Sequence, residues 1–256
     1  MTPRIGHILL DIEGTTCPVS FVSTVLFPYA QEQLQTYLEQ HSTDETLLAL
    51  TADLIRSWQD ETDAEARELL ELAPGHQTDF SGPASLSPAD LLPYLRWLNR
   101  QDRKLTAWKD LQGLIWREGY RCGALQASLF EDVAVSLQRW HGQGISLSVY
   151  SSGSVAAQQL LYGHTDHGDL TPLFSHWFDT RIGAKQAPES YHAILQTLGC
   201  QGEQVMFISD VLAELEAADA CGIHCLYSVR PGNVVEVCER FPKVSDFRNL
   251  DPQSLG

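Results

Sequence analysis

The 256 residues carry 33 Asp and Glu against 17 Lys and Arg, a formal net charge of −16. A field of that sign repels phosphate polyanions, which argues against nucleic acid or an anionic membrane surface as partner. With 43% hydrophobic and 20% charged residues the chain can bury a large core, yet no apolar run reaches the roughly 18–20 residues that span a bilayer. The six cysteines (17, 122, 200, 221, 225 and 238) form no C-x-x-C pair, so they read as small hydrophobes of a reducing compartment. The first residues reach ILLD at once, without the zones of a signal peptide, and the expected location is the cytoplasm.

The first predicted strand, HILLDIEGTT, is an apolar run that ends abruptly in Asp11, Glu13 and small residues. From about 18 to 125 the periodicity is almost wholly helical: VSFVSTVLFPYAQEQLQTYLEQH with a kink predicted at Pro28, DETLLALTADLIRSWQDETDAEARELLEL, the break APGHQTDFSGPASLSP, then ADLLPYLRWLNRQDRKLTAWKDLQGLIWREGY. A block of that length is no crossover of one β-α-β unit, so 18–125 is read as an inserted helical cap, with hinges near 17–20 and 120–128. Its only Lys or Arg between 31 and 90 are Arg56 and Arg67, a solvated acidic surface. Trp97, Trp108 and Trp116 are expected in its core.

Strand and helix then alternate. LFEDVAVSLQRWHGQG precedes the strand GISLSVYSSGS; a weaker apolar stretch, HWFDTRIG, follows. APESYHAILQTLG leads into QVMFISDVLAEL, and VLAELEAADACG into IHCLYSVRPGN. This is the pattern of an α/β fold with a doubly wound parallel sheet, its core formed by 1–17 and 126–256. In such sheets ligands bind at the carboxyl ends of the strands, where Asp11, Glu13, Ser151, Ser152 and Asp210 all fall.

Those residue types suit phosphoryl transfer. Asp11 can attack phosphorus and form an aspartyl-phosphate. Two carboxylates facing a phosphate dianion require a cation, and Mg2+ accepts one or two carboxylates plus phosphate and water; Asp210 is the second carboxylate. Ser151 or Ser152 offers a hydroxyl to a phosphate oxygen, Gly153 lets the backbone approach, and Lys185 adds a compact positive charge. Singly, the serines are turn residues, Lys185 a surface lysine and Asp210 a helix N-cap. In chain order they make a set: acid, hydroxyl, lysine, acid. His164 and His167 read as loop residues.

D-x-E-G-T at 11–15, VYSSGS at 149–154, Lys185 and FISD at 207–210 resemble the four motifs of the haloacid dehalogenase (HAD) superfamily. DIEGTT, VYSSGSVAAQQLL, YGHTDHGDL, FDTRIGAKQAPESY and VRPGN are similar to its enolase–phosphatase branch in methionine salvage, over essentially the whole chain. The resemblance implies a HAD-like core with a helical cap and one Mg2+ per subunit. The implied reaction enolises 2,3-diketo-5-methylthiopentyl-1-phosphate and then dephosphorylates it to 1,2-dihydroxy-3-keto-5-methylthiopentene. Asp11, Glu13 and Asp210 match the metal site, Ser151, Ser152 and Lys185 the substrate contacts, and Asp11 the nucleophile. HAD phosphatases usually carry Asp where this chain has Glu13; the longer side chain is expected to reach the carbon acid as well as the leaving oxygen. Whether Glu13 meets the metal by side chain or main-chain carbonyl stays open. A capped HAD phosphatase or phosphomutase on another small phosphorylated metabolite is the rival reading. No symmetric interface is visible, and a monomer is expected.

Overall fold

Five short apolar runs and one two-residue addition make the sheet: β1 (His7–Leu10), β2 (Ser146–Tyr150), β3 (Phe174–Phe178), β4 (Val205–Ser209), β5 (His224–Ser228) and β6 (Lys243–Val244). A computed structural model describes residues 4–73, 86–101 and 103–255. All neighbouring strands are parallel, in the order β3-β2-β1-β4-β5-β6, so the expected doubly wound α/β sheet is what forms. The weak stretch around HWFDTRIG supplies edge strand β3, and β6 was not expected. Strand order reverses at β1, so the crevice between β1 and β4 is the topological switch point.

The chain divides into two compact units, Met1–Val25 with Gly123–Gly256, and Leu26–Cys122. Helical periodicity puts the insertion at 18–125; in the structure 18–25 and 123–125 group with the α/β unit. Continuous helical periodicity conceals the junction. A π-helical turn, Val22–Leu26, occupies it, two residues before Pro28, which has no N–H to give to Thr24.

The helical unit contains α1 (Phe27–Gln40), α2 (Glu45–Gln59), α3 (Ala64–Glu71), α4 (Leu92–Arg100) and α5 (Thr106–Arg121). Asp44 caps α2, accepting from Thr46 N at 2.8 Å and Leu47 N at 3.0 Å. Leu34, Leu47, Leu54, Trp58, Tyr94, Trp97 and Trp108 lie in one buried cluster. Tyr94 stacks between Trp58 and Trp97, with centroids 5.0 and 5.7 Å away. Trp116 is only partly buried and donates Nε1–H to Leu26 O at 2.8 Å. Most of the break predicted at 73–88 lies outside the described residues.

In the α/β unit, α6 (Val133–Gly142), α7 (Val155–Gly163), α8 (Pro188–Leu198) and α9 (Leu212–Asp219) pack on the sheet. Leu9, Tyr150, Tyr191, Ile194, Phe207 and Leu215 share one buried cluster. Gly199, at φ +67°, closes α8 in the left-handed conformation a side chain resists. Among the described residues no helix is long and apolar enough to cross a membrane.

Candidate active site

Strand register brings the polar strand ends to one edge. Leu10 pairs with Val149 of β2 and Ile208 of β4, so Asp11, Ser151 and Asp210 follow three adjacent strands. Asp11 is 5% exposed, and Lys185, from the turn before α8, is 9% exposed. Their contact is direct: Lys185 Nζ donates to Asp11 Oδ1 at 2.6 Å and lies 2.7 Å from Glu214 Oε2. Glu214 Oε2 also accepts from Ser209 Oγ at 2.9 Å. Burial by itself would lower the Lys185 pKa; Asp11 and Glu214 overcome it and raise the net value. The ammonium is therefore locked in its charged form, sheltered from water.

One lysine faces an excess of acid. Burial first, then Asp11 and Glu214, push Asp210 up to about 7. Burial and Asp11 likewise raise Glu214. Two like carboxylates at a sheet edge are the electrostatic demand a cation answers.

Two loops bear these side chains, and each is held by three consecutive carbonyls. Gly183 O accepts from Tyr150 Oη at 3.0 Å, Ala184 O from Ser190 Oγ at 2.7 Å, and Lys185 O from Tyr191 Oη at 2.7 Å. After β1, Gly14 O accepts from Ser228 Oγ and Asn233 Nδ2, both at 2.8 Å. Thr15 O accepts from Arg230 Nε at 3.1 Å, and Thr16 O from Phe130 N at 3.1 Å. Arg230 is anchored in turn by both oxygens of buried Asp132 at 2.9 Å and lies 4.1 Å from the Phe247 ring centroid. Held this way, neither loop needs regular secondary structure to be positioned.

Other predicted residues play different local parts. Ser151 is buried, and its Oγ accepts from Gly153 N at 3.3 Å; Ser152 is exposed. Ser154 caps α7, whose first N–H, that of Val155, also meets Asp179 Oδ2 at 3.3 Å. Glu13 is exposed on the turn after Asp11. Among the described residues no group of three His, Cys, Asp or Glu side chains is gathered as a metal site. Asp210 is not at the N-cap of α9; that position is Val211, with no side-chain cap bond. His164 ends α7. Cys17 is fully buried, donates to Ser128 O at 3.2 Å, and is pushed up to about 12 by burial and Glu13, an inert thiol.

Glu214 escaped the sequence reading. Its signal is spacing alone: four residues after Asp210 it lies one helical turn on, where an acid looks like an ordinary first-turn partner of the helix dipole.

The donor set fits a hard divalent ion. Gly14, at φ +70°, has no side chain where the Asp210 carboxylate sits: a Cβ there would overlap Asp210 Oδ2 and lie 3.0 Å from Asn233 Oδ1. Asn233 Oδ1 is itself buried without a partner among the described residues. Two carboxylates with neighbouring oxygen acceptors suit Mg2+, which keeps much of its hydration.

Fold and site together define a haloacid dehalogenase-like hydrolase, and the family model of that description matches residues 5–222. The UTR4 protein of Saccharomyces cerevisiae superposes with a TM-score of 0.73 at 28% identity, covering 96% of this chain and 100% of that one. CbbY from Rhodobacter sphaeroides in complex with phosphate, at 19% identity and TM-score 0.55, shares the fold, covering 98% of this chain and 100% of that one. Enolase-phosphatase E1 of Synechococcus sp. (strain RCC307) is 48% identical over 96% of this chain and 94% of its own length. That of Prochlorococcus marinus (strain MIT 9313) is 44% identical over 96% and 98%. The chain belongs to the enolase-phosphatase E1 family and is an enzyme.

Proposed function

We propose that this enzyme converts 2,3-diketo-5-methylthiopentyl-1-phosphate to 1,2-dihydroxy-3-keto-5-methylthiopentene and inorganic phosphate, in methionine salvage. The observation that carries the reading is the buried Asp11–Lys185–Glu214 cluster at the switch point, beside Asp210, in a chain of this family.

Substrate and product differ in a way that sets the order of events. Enolisation removes a proton from C1, the carbon bearing the ester oxygen, and the C2 oxygen gains one. Asp11 then attacks phosphorus, the bond between phosphorus and the C1 oxygen breaks, and that oxygen takes a proton. Water hydrolyses the aspartyl-phosphate and restores Asp11. Glu13 is assigned both proton transfers, because the carbon acid and the leaving oxygen share one carbon. Lys185 has three N–H donors; Asp11 and Glu214 occupy two, and the third is assigned to a phosphate oxygen. Ser151 and Ser152, with the α7 N-terminus, take the other phosphate oxygens.

Asp11 and Asp210 by carboxylate and Glu13 by main-chain carbonyl would hold one Mg2+. When bound, it supplies positive charge to the enolate oxygen and the phosphate. We assign the helical unit as the family's cap domain. The protein is further read as a cytoplasmic monomer acting on a small phosphorylated diketone, with neither nucleic acid nor membrane as partner.

Asp11→Asn tests the assignment. Incubated with Mg2+ and the diketo phosphate, it should release no phosphate while enolisation, followed by ultraviolet absorbance, continues in part. Normal phosphate release would remove Asp11 as nucleophile.

A further inference from the structure

The Gly14 carbonyl has two side-chain donors, and they are not equivalent. Ser228 Oγ donates to it at 2.8 Å. Asn233 Nδ2 donates to it at 2.8 Å and to Ser228 O at 3.3 Å. An amide nitrogen only donates, so two carbonyl partners settle which way the Asn233 amide lies. Oδ1 is thereby turned away from both carbonyls. It is buried, has no hydrogen-bond partner among the described residues, and approaches the same side of Gly14 as Asp210 Oδ2.

A buried acceptor left unsatisfied costs about 1–3 kcal/mol. Asp210, ionised as a metal ligand, is a second acceptor and cannot satisfy the first. A hydrated cation can, because Mg2+ dehydrates reluctantly and its bound waters are strong donors. We propose that Asn233 supports the metal from the outer shell: Oδ1 accepts a hydrogen bond from the hydration of Mg2+ held at Asp11 and Asp210, while Nδ2 fixes the turn that carries Glu13. One side chain thus ties the ion to the proton-transfer residue. The inference rests on the assignment of Asp11 and Asp210 as metal ligands.

The test is isothermal titration of Mg2+ into the whole protein without substrate, with folding of each variant followed by circular dichroism and melting. Outer-shell partners typically account for about 10–100-fold in metal affinity. Asn233→Ala and the near-isosteric Asn233→Leu should each raise the Mg2+ Kd by about tenfold or more. Ser228→Ala takes a donor from the same carbonyl but leaves Asn233 Oδ1 in place, and should raise it far less. An unchanged Kd in folded Asn233→Ala or Asn233→Leu overturns the proposal. So does an equal loss in Ser228→Ala, which would make the turn, and not the acceptor, responsible. Asp210→Asn separates the two levels. If it leaves Mg2+ binding intact, the metal assignment fails and takes Asn233 with it. If it abolishes binding while the Asn233 variants do not alter it, only Asn233 falls.

Discussion

The two units bury very different things. Among the described residues of the helical unit, the buried polar side chains are Thr51 and Gln112, and the interior is a stack of aromatic and aliphatic groups around Trp58, Tyr94 and Trp97. The α/β unit buries Asp11, Asp132, Asp179, Lys185, Glu214 and Arg230 as charges or potential charges, with Asp179 held by the main-chain N–H groups of Val155 and Arg181. Removing an ion from water costs several kcal/mol, so such groups persist only when paired and hydrogen-bonded. The α/β unit has two such networks with separate purposes. Arg230–Asp132 is charge-balanced and enclosed: the guanidinium also reaches Thr15 O and Ser245 O, and Asp132 Oδ2 accepts from Phe247 N at 2.6 Å. Lys185–Asp11–Glu214 is one cation among an excess of acid, and its neighbour Asp210 is pushed up to about 7. A closed network is architecture; an unbalanced one at a sheet edge is available for chemistry.

That contrast can be broken by substitution. After the loss of phosphate release in Asp11→Asn, the largest effect is expected from Glu13→Gln, an exposed side chain whose loss should cost about 10²–10⁴-fold in turnover, with the Mg2+ Kd unchanged, because its assigned metal contact is main chain. Steady-state kinetics beside a calorimetric titration reads both. Asp132→Ala should destabilise by about 3–5 kcal/mol in a urea melt, since it strands buried Arg230. In the helical unit Trp58→Ala should cost a similar ~3–5 kcal/mol, but as a cavity with a lost stacking partner. Mutating Arg230 together with Asp132 to matched apolar residues distinguishes the two mechanisms. Stability should then recover much of the Asp132→Ala loss, and no second change should do so for Trp58 short of refilling its volume. Least of all, Asp44→Ala should cost about 1 kcal/mol, the value of one helix cap.

The strands and their polar ends were legible because a parallel strand buried on both faces is an apolar run, and its end must turn polar where the sheet stops. Asp11, Ser151 and Asp210 stand out for that reason. The junction of the units was not legible: Val19–Val25 continue the periodicity of the helix after them, and only the π turn before Pro28 marks where one packing ends. Nothing in V-R-P-G-N shows what Arg230 and Asn233 hold, because the carbonyls they bind after β1, Thr15 O and Gly14 O, lie more than 200 positions away.

Local order thus came from sequence: which segments form strands and helices, which acids end them, and that a helical block interrupts the sheet. Periodicity and strand-end polarity are short-range properties. Tertiary structure alone decided that Lys185 reaches back 174 positions to Asp11, that Glu214 shares it, and that Asn233 brings its oxygen to Gly14 beside Asp210. Contacts of that kind depend on strand order and register, and both are set by how the helices pack across the sheet.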